Sequence, residues 1–151
     1  MTVATLLPRF ALVTVAALAL SVPARAGPQE NKAAALRFYD AYAVSRRGSA
    51  VLRPYLAPNF RSHSPFLTAT TVDAFLKTAD DLRDGKLGSI VVRTERAAAD
   101  GDLVILHSRA QANGATLALI DIYRFDAQGR IAEHWDVLQN VTRASNPNGA
   151  F

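Results

Sequence analysis

Residues 103–125 decide the fold, and their sequence is LVILHSRAQANGATLALIDIYRF. Apolar and polar side chains alternate on both sides of Asn113-Gly114, with the period of two that is typical of β-strands. An Asn-Gly pair between two such runs is a strong signal for a two-residue hairpin turn. We therefore predict two antiparallel strands, Leu103 to Ala112 and Ala115 to Phe125.

Two more strands flank this hairpin in the chain. One covers Ser89 to Ala97, before a turn at residues 100–102, and the other runs from Arg130 to about Asn140, after a turn at residues 126–129. Four strands in meander order predict a mostly antiparallel sheet.

Helical patterns precede the strands. Apolar side chains three and four residues apart predict helices over Asn31 to about Arg46, over Ala50 to Leu56, and from Thr70 or Thr71 onward. Thr70 with Asp73 resembles a capping box, and the segment from Asn59 to Ala69 is typical of a loop. The predicted class is α+β, with three N-terminal helices on one face of a curled sheet and a pocket at the open end.

The first 26 residues differ in composition from the rest and contain no Asp or Glu. Arg9 precedes an apolar run from Phe10 to Val22, and Ala24-Arg25-Ala26 ends the segment with small residues. This pattern is typical of a secretory signal peptide cleaved after Ala26, and the apolar run is short for a membrane-spanning helix. We expect a periplasmic or secreted domain over residues 27–151, with no stable membrane anchor after cleavage; a buried N-terminal helix or a retained anchor is the alternative.

Composition excludes several classes of function. Without Arg9 and Arg25, the 17 Lys and Arg fall to 15 against 13 Asp and Glu, and these basic residues are scattered along the chain. Such a distribution is not the basic patch of a nucleic-acid-binding protein. The chain has no Cys, which excludes disulfides, thiol catalysis and thiolate metal sites.

The most specific motifs lie in the last two predicted strands. Residues 121–125 have the sequence DIYRF, and residues 129–139 have the sequence GRIAEHWDVLQ. Residues 59–63 (NFRSH), 101–108 (GDLVILHS) and 146–151 (NPNGAF) add to the pattern. Together they resemble the SnoaL-like branch of the nuclear-transport-factor-2-like superfamily, of the polyketide-cyclase or predicted aldol-condensation type. Ser64 departs from the family pattern, in which Asn usually follows the loop His.

The resemblance implies a cone-shaped, cystatin-like α+β fold and a homodimer formed by sheet-to-sheet packing. It also implies a pocket for a small hydrophobic organic molecule and no cofactor. It does not define a reaction, because this fold serves cyclases, isomerases, dehydratases, epoxide hydrolases and non-catalytic binding modules.

Asp121, His107 and His63 are the candidate catalytic residues. Asp121 ends an apolar strand and matches the position at which the related cyclases carry their acid/base. A buried carboxylate can take a proton from the carbon next to a carbonyl group and return it elsewhere. Hairpin pairing places His107 near Asp121, and His63 matches the loop His at the family's pocket mouth. Each of the three has a structural alternative, as a residue bonded within the fold or solvated.

The candidate substrate-binding residues are Trp135, His134, Asp136, Phe38, Tyr42 and Tyr123. Trp135 points to the opposite face of its strand from His134 and Asp136. Simple pairing places Asp121 opposite His134, whereas a one-residue bulge at Gly129 places it opposite Trp135. We favour the bulge, which would put Trp135 in the pocket and turn its two neighbours outward.

The three histidines show no metal-binding spacing, and we predict no metal site. Two functions remain in view. One is a cofactor-free enzyme, of lyase or isomerase type, that performs aldol closure, isomerisation or elimination on a carbonyl compound. The other is a periplasmic module that binds a ligand or a protein without turnover, and the sequence leaves the choice open.

Overall fold

The computed structural model describes residues 26–65 and 71–151. The proposed signal peptide, apart from Ala26, lies outside the described residues, as does Thr70 of the proposed capping box. Within the described part of the chain, no helix is long and apolar enough to cross a membrane.

The described residues form three helices and a five-stranded sheet, most of which follows the helices in the chain. The helices are α1 (Pro28–Tyr39), which continues as a π-helical turn (Asp40–Val44), α2 (Ser49–Leu52), followed by a 3₁₀ turn (Arg53–Tyr55), and α3 (Val72–Arg83). The strands are β1 (Leu56–Ser62), β2 (Ile90–Asp100), β3 (Leu103–Ala112), β4 (Ala115–Phe125) and β5 (Ile131–Asn140). The predicted class, three helices on a mostly antiparallel sheet, is confirmed.

The sheet has the strand order β1-β5-β4-β3-β2 and does not close into a barrel. The pairs β2–β3, β3–β4 and β4–β5 are antiparallel, whereas β1 lies parallel to β5 at one edge. Asn113 and Gly114 both adopt positive φ, at 51° and 82°, as a type I′ hairpin turn requires. The predicted hairpin is therefore confirmed.

Strand β1 corrects the sequence-based prediction of a loop from Asn59 onward. Residues 59–62 belong to β1, which among the described strands pairs with β5 alone. Pro58 is tolerated there because an edge strand need not donate a hydrogen bond on its outer side. The strand also lacks a clean alternation of buried and exposed residues, so its sequence does not show the period of two.

The boundaries of the helices differ from prediction by a few residues. Helix α1 begins at Pro28, which needs no hydrogen-bond partner for its nitrogen in the first turn. The N-cap of α3 is Thr71, whose Oγ1 accepts a hydrogen bond from the Ala74 N–H at 3.4 Å.

An aromatic cluster joins the helices to the sheet. The Phe38 ring of α1 lies 6.1 Å from the Phe75 ring of α3 and 5.7 Å, edge-on, from the Tyr123 ring of β4. Burial of large rings of this kind supplies much of the hydrophobic stabilisation of a small domain. We call the side of the sheet that packs on the helices its inner face, and the opposite side its outer face.

Candidate functional site

A pocket of about 230 Å³ lies between the helices and the inner face of the sheet. Its walls come from the end of α1, from α3 and its following loop, and from strands β2, β4 and β5. The lining residues are Tyr39, Tyr42, Ala43, Thr78, Leu82, Leu87, Ile90, Val92, Leu119, Asp121, His134, Asp136 and Leu138. Polar groups converge on one end of an otherwise apolar cavity, which is the usual composition of a small-molecule site.

Asp121 and His134 form a buried pair at the polar end of the pocket. The Nε2 atom of His134 lies 3.1 Å from Oδ1 of Asp121, and the side chains are 3 % and 8 % exposed, respectively. When Asp121 is ionised, the neutral ring carries its proton on Nε2 and donates it to the carboxylate. Removal of either partner would leave a buried polar group without its hydrogen bond, which is costly.

Strand β1 supplies the partner for the other ring nitrogen of His134. Ser62 Oγ lies 3.2 Å from Nδ1, and the same Oγ accepts a hydrogen bond from the Ser64 N–H at 3.4 Å. When the ring is neutral with its proton on Nε2, the hydroxyl can donate its own proton to Nδ1, which supports that tautomer. Ser62 is buried and does not line the pocket, so it orients the ring from behind.

Asp136 brings a second carboxylate to the same end of the pocket. It stands directly opposite Asp121 in the β4–β5 pairing, and its Oδ2 accepts a hydrogen bond of 2.8 Å from Ser64 Oγ. Burial raises the pKa of Asp136 above its usual value, and the negative charge of Asp121 raises it further; the Ser64 hydrogen bond and His134 oppose this shift.

Three buried oxygen atoms here have no close hydrogen-bond partner among the described residues: Asp121 Oδ2, Asp136 Oδ1 and Ser108 Oγ. The Tyr39 hydroxyl is nevertheless near enough to Asp121 and Ser108 for both to affect the pKa of the phenol, so it is a long-range neighbour of these atoms. Buried carboxylate oxygens are normally hydrogen-bonded, because desolvation without a donor costs free energy. Asp121 is only 6 % exposed and lines the pocket. The pocket therefore has acceptor capacity that this part of the fold leaves unused.

Two phenols face these carboxylates from α1 and its π-helical turn. Burial is the main cause that raises the pKa values of Tyr39 and Tyr42, and the nearby charge of Asp121 is the second. Both phenols therefore stay protonated at ordinary pH and can act as hydrogen-bond donors. The site thus combines donor hydroxyls with acceptor carboxylates.

The predicted register of the last hairpin is wrong in both of the forms considered. Phe125 pairs with Ile131, but Arg124 pairs with Glu133, because β5 carries an extra residue at Ala132. That bulge places Asp121 opposite Asp136. His134 and Asp136 therefore line the pocket, and Trp135 points to the outer face.

The structure separates the three candidate catalytic residues. His107 pairs with Ile120, as expected, but the inner face of β3 carries its neighbours Leu106 and Ser108. On the outer face, the His107 ring stacks on Phe151 at 5.6 Å and its Nδ1 lies 3.0 Å from Arg96.

His63 also lies away from the pocket. Its ring stacks on Trp135, with centroids 4.8 Å apart, and its Nε2 lies 3.1 Å from Glu133 Oε2. Of the three candidate catalytic residues, Asp121 is the one that lines the pocket.

The other predicted binding residues divide between the pocket and the core. Tyr42 lines the pocket, whereas Phe38 and Tyr123 are 1 % and 2 % exposed and pack behind it. The Tyr123 ring stacks on the His134 ring at 5.0 Å and so supports the site indirectly.

Sequence reasoning missed Tyr39, Ser62 and Ser64. Tyr39 belongs to the apolar stripe of α1, where its ring looks like core. The two serines were hidden in a segment taken as loop; the signal that could have found them is the departure from the family pattern at Ser64.

Asp121, His134 and Asp136 also form the kind of group that can hold a metal ion. One possible ligand atom from each lies within 4.8 Å of the others. The three residues meet through strand pairing rather than through a sequence motif. As an arrangement, they can bind a cation, share a proton or accept protons from a ligand.

Comparisons with known proteins identify a family and a shared fold. Residues 35–134 match the family model described as SnoaL-like domain. No curated protein matches the sequence.

Solved structures share the fold. A proposed ketosteroid isomerase from Kribbella flavida is similar with a TM-score of 0.64 and 15 % identity, over 76 % of this chain and 82 % of that one. A proposed SnoaL-like polyketide cyclase from Jannaschia sp. is similar with a TM-score of 0.62 and 18 % identity, over 78 % of this chain and 89 % of that one. An epoxide hydrolase of M. tuberculosis, described as LEH-like, is similar with a TM-score of 0.56 and 18 % identity, over 74 % of this chain and 84 % of that one. At such identities the likeness shows the fold alone.

Proposed function

Because the chain belongs to the SnoaL-like domain family, we propose that it binds a small, largely apolar carbonyl compound in this pocket and moves a proton on it without a cofactor. Asp121 is the proposed general base. It would take a proton from the carbon next to the carbonyl group and return it at another position.

One observation carries this proposal. Asp121 is a buried carboxylate at the pocket wall, with Oδ1 bonded to His134 and Oδ2 without a close partner; the Tyr39 hydroxyl is the neighbouring donor and leaves at least one lone pair of Oδ2 free. A base needs an unoccupied lone pair within reach of the substrate and a fixed orientation. The Asp121–His134 pair supplies the orientation, and Oδ2 supplies the lone pair.

The phenols and the second carboxylate fit the same chemistry. A protonated Tyr39 or Tyr42 can donate a hydrogen bond to the carbonyl oxygen, where negative charge develops as the proton leaves. Asp136, whose pKa is raised by burial and by the nearby charge of Asp121, holds its proton more readily than an ordinary Asp and can donate it to a ligand.

Deuterium exchange tests the proposal without knowledge of the natural substrate. A panel of small enolisable ketones, such as cyclohexanone and acetophenone, is incubated with the protein in D₂O, and loss of the α-proton signals is followed by NMR. We expect faster exchange for at least one ketone, and Asp121→Asn should lower that rate by about 100-fold or more. Asp73→Asn is the matched control, since Asp73 is 83 % exposed.

The second candidate function is binding without turnover. The signal-like N-terminus favours it, because polyketide cyclisation usually takes place with the other biosynthetic enzymes in the cytoplasm. Ligand binding with no exchange for any ketone would support this candidate and reject the enzyme. Equal exchange by Asp121→Asn and by the unaltered protein would remove Asp121 from the proposal.

Export and dimerisation belong to the same proposal. We expect the purified protein to begin at Gly27 when it is produced in a Gram-negative host, as N-terminal sequencing of the periplasmic fraction would show. The outer face of the sheet exposes Val91 (65 %), Ile105 (40 %) and Val137 (61 %), which supports a homodimer through this face. Light scattering after size exclusion should give the dimer mass, and Val137→Lys should give the monomer mass.

A further inference from the structure

The charged side chains that line the pocket are acidic. The described residues that line it include two carboxylates, Asp121 and Asp136, and no Lys or Arg. The guanidinium of Arg46 reaches the carbonyl oxygen of Ile90 at the rim, but Arg46 itself does not line the cavity. An anionic ligand would therefore meet two carboxyl groups and no Lys or Arg among these lining residues, in a site with limited access to water.

The unused acceptors favour a ligand with several donor hydrogens. Asp121 Oδ2 and Asp136 Oδ1 are both buried without a close partner among the described residues. One carboxylate oxygen of each residue lies within 4.8 Å of the other, so a single nitrogen can reach both. An ammonium group forms short hydrogen bonds, of about 2.8 Å, to carboxylate oxygens and carries three donors for them.

The rest of the pocket suits the apolar body of such a ligand. Aliphatic side chains, among them Leu82, Leu119 and Leu138, form the wall away from the carboxylates. The rings of Tyr39 and Tyr42 can face a cation favourably. These walls fit an organic cation better than a metal ion that keeps its water shell.

The volume limits the size of the ligand. At about 230 Å³, the cavity lies below the range of about 300–1,000 Å³ that is usual for drug-sized ligands. A compound with one six-membered ring and a short side arm fits, whereas a fused polycycle does not.

We propose that this pocket selects its ligand by charge and takes a small primary amine, in its protonated form, on an apolar body of about one ring. The proposal rests on the assignment of this pocket as the ligand site, but not on the proton transfer proposed for Asp121. An amine could bind whether or not the protein turns anything over.

Three probes of nearly equal size test the charge preference: benzylamine, benzyl alcohol and benzoate. Calorimetric titration at pH 7, with the mature protein in EDTA, should give an affinity for benzylamine at least tenfold above that for benzyl alcohol, and no binding of benzoate. Benzoate binding as tight as benzylamine, or no binding of benzylamine at millimolar concentration, overturns the proposal.

Variants show whether the carboxylates are responsible. Asp136→Asn should lower the affinity for benzylamine by about tenfold and leave the affinity for benzyl alcohol within twofold of the parent. Asp121→Asn should change the two affinities in the same way, once thermal unfolding has shown that this variant is folded. The exposed-site variant Asp73→Asn should change neither. Equal loss for both probes would mean a damaged pocket rather than charge recognition and would overturn the proposal.

Further titrations of the same protein samples distinguish the amine site from a metal site and from the proposed enzyme. Tight binding of Zn²⁺ or Mn²⁺ to the chelator-free protein, with no binding of benzylamine, would assign the site to a metal ion and reject the amine. Amine selectivity without ketone exchange would reject the proposed enzyme and keep the amine site. Ketone exchange without amine selectivity would reject the amine site and keep the proposed enzyme.

Discussion

Asp121 of β4 and Asp136 of β5 stand directly opposite each other on the inner face of the sheet, beside His134. Two carboxylates this close cannot both be ionised without cost, because each charge disfavours the other. The hydrogen bonds of Ser64 with Asp136 and of His134 with Asp121 offset part of that cost.

The first prediction concerns the pH dependence of stability. Folding raises the pKa of Asp136 above its ordinary value of about 3.8, so the folded chain holds this proton more tightly than the unfolded chain. The contribution of Asp136 to the unfolding free energy is therefore fully present below about pH 3.8 and is lost as pH rises through the folded pKa. Asp136→Asn removes this pH dependence. As pH rises from about 3.8 through the folded pKa of Asp136, the variant should therefore gain unfolding free energy relative to the unaltered protein.

Urea unfolding at pH values from 4 to 8 measures this difference. Asn keeps an oxygen that can accept the Ser64 hydrogen bond, so the comparison isolates the charge. If the two stability curves run parallel across the whole range, the pKa of Asp136 is not raised in the folded protein.

The second prediction concerns Ser64. Its hydroxyl stabilises the ionised form of Asp136 through a 2.8 Å hydrogen bond, and this contact lowers the pKa of that carboxyl against the effect of burial. Ser64→Ala should therefore raise the pKa of Asp136 further, as carboxyl NMR titration would show. Ser49→Ala, at the start of α2, provides a serine control and should leave the Asp136 titration unchanged; a Ser64→Ala titration that overlays the parent curve would contradict the prediction.

The strand pattern predicted most of the fold, because alternation and turn residues are local signals. The Asn113-Gly114 turn set the β3–β4 register through the turn geometry alone. The β4–β5 register depended on a bulge at Ala132, where no glycine or proline marks the position. A shift of one residue turns every following side chain to the other face, which is why Trp135 and His134 exchanged their predicted places.

Strand β1 was harder to foresee for a different reason. A parallel pairing at the sheet edge depends on contacts distant in sequence, such as Ser62 with His134. The cluster of Ser62, His134 and Asp121 therefore has no signature within any single segment. Asp121 itself could be chosen from sequence, since a carboxylate at the end of an apolar run is a local feature.

The third prediction tests the histidines that sequence reasoning placed at the site. His107 and His63 both contact residues of the outer face, and neither lines the pocket. His107→Ala and His63→Ala should each leave probe binding and ketone exchange within twofold of the parent. Their cost in stability should stay near 1 kcal/mol or less, as is usual for contacts that are partly exposed. A tenfold loss of binding or exchange in either variant would restore that histidine to the site.

The fourth prediction concerns the orientation of the His134 ring. When the His134 ring is neutral, Ser62 on Nδ1 and Asp121 on Nε2 together favour the tautomer with its proton on Nε2. In ¹⁵N-detected spectra of the neutral ring, His134 should show Nδ1 as the unprotonated nitrogen, and Ser62→Ala should mix the tautomers. A buried hydrogen bond of this kind is worth about 1 kcal/mol, so Ser62→Ala should still fold.

His134→Ala is the harsher test of the same pair. It leaves Asp121 buried without its partner and opens a cavity beside Phe75 and Tyr123, whose rings contact the imidazole. We expect a loss of about 3 kcal/mol in the unfolding free energy. His134→Gln, which can still donate toward Asp121, should recover part of that loss, whereas His134→Leu should restore packing only. If the leucine variant is the more stable of the two, packing against Phe75 and Tyr123 outweighs the hydrogen bond, and the Asp121–His134 pair is there for function rather than for stability.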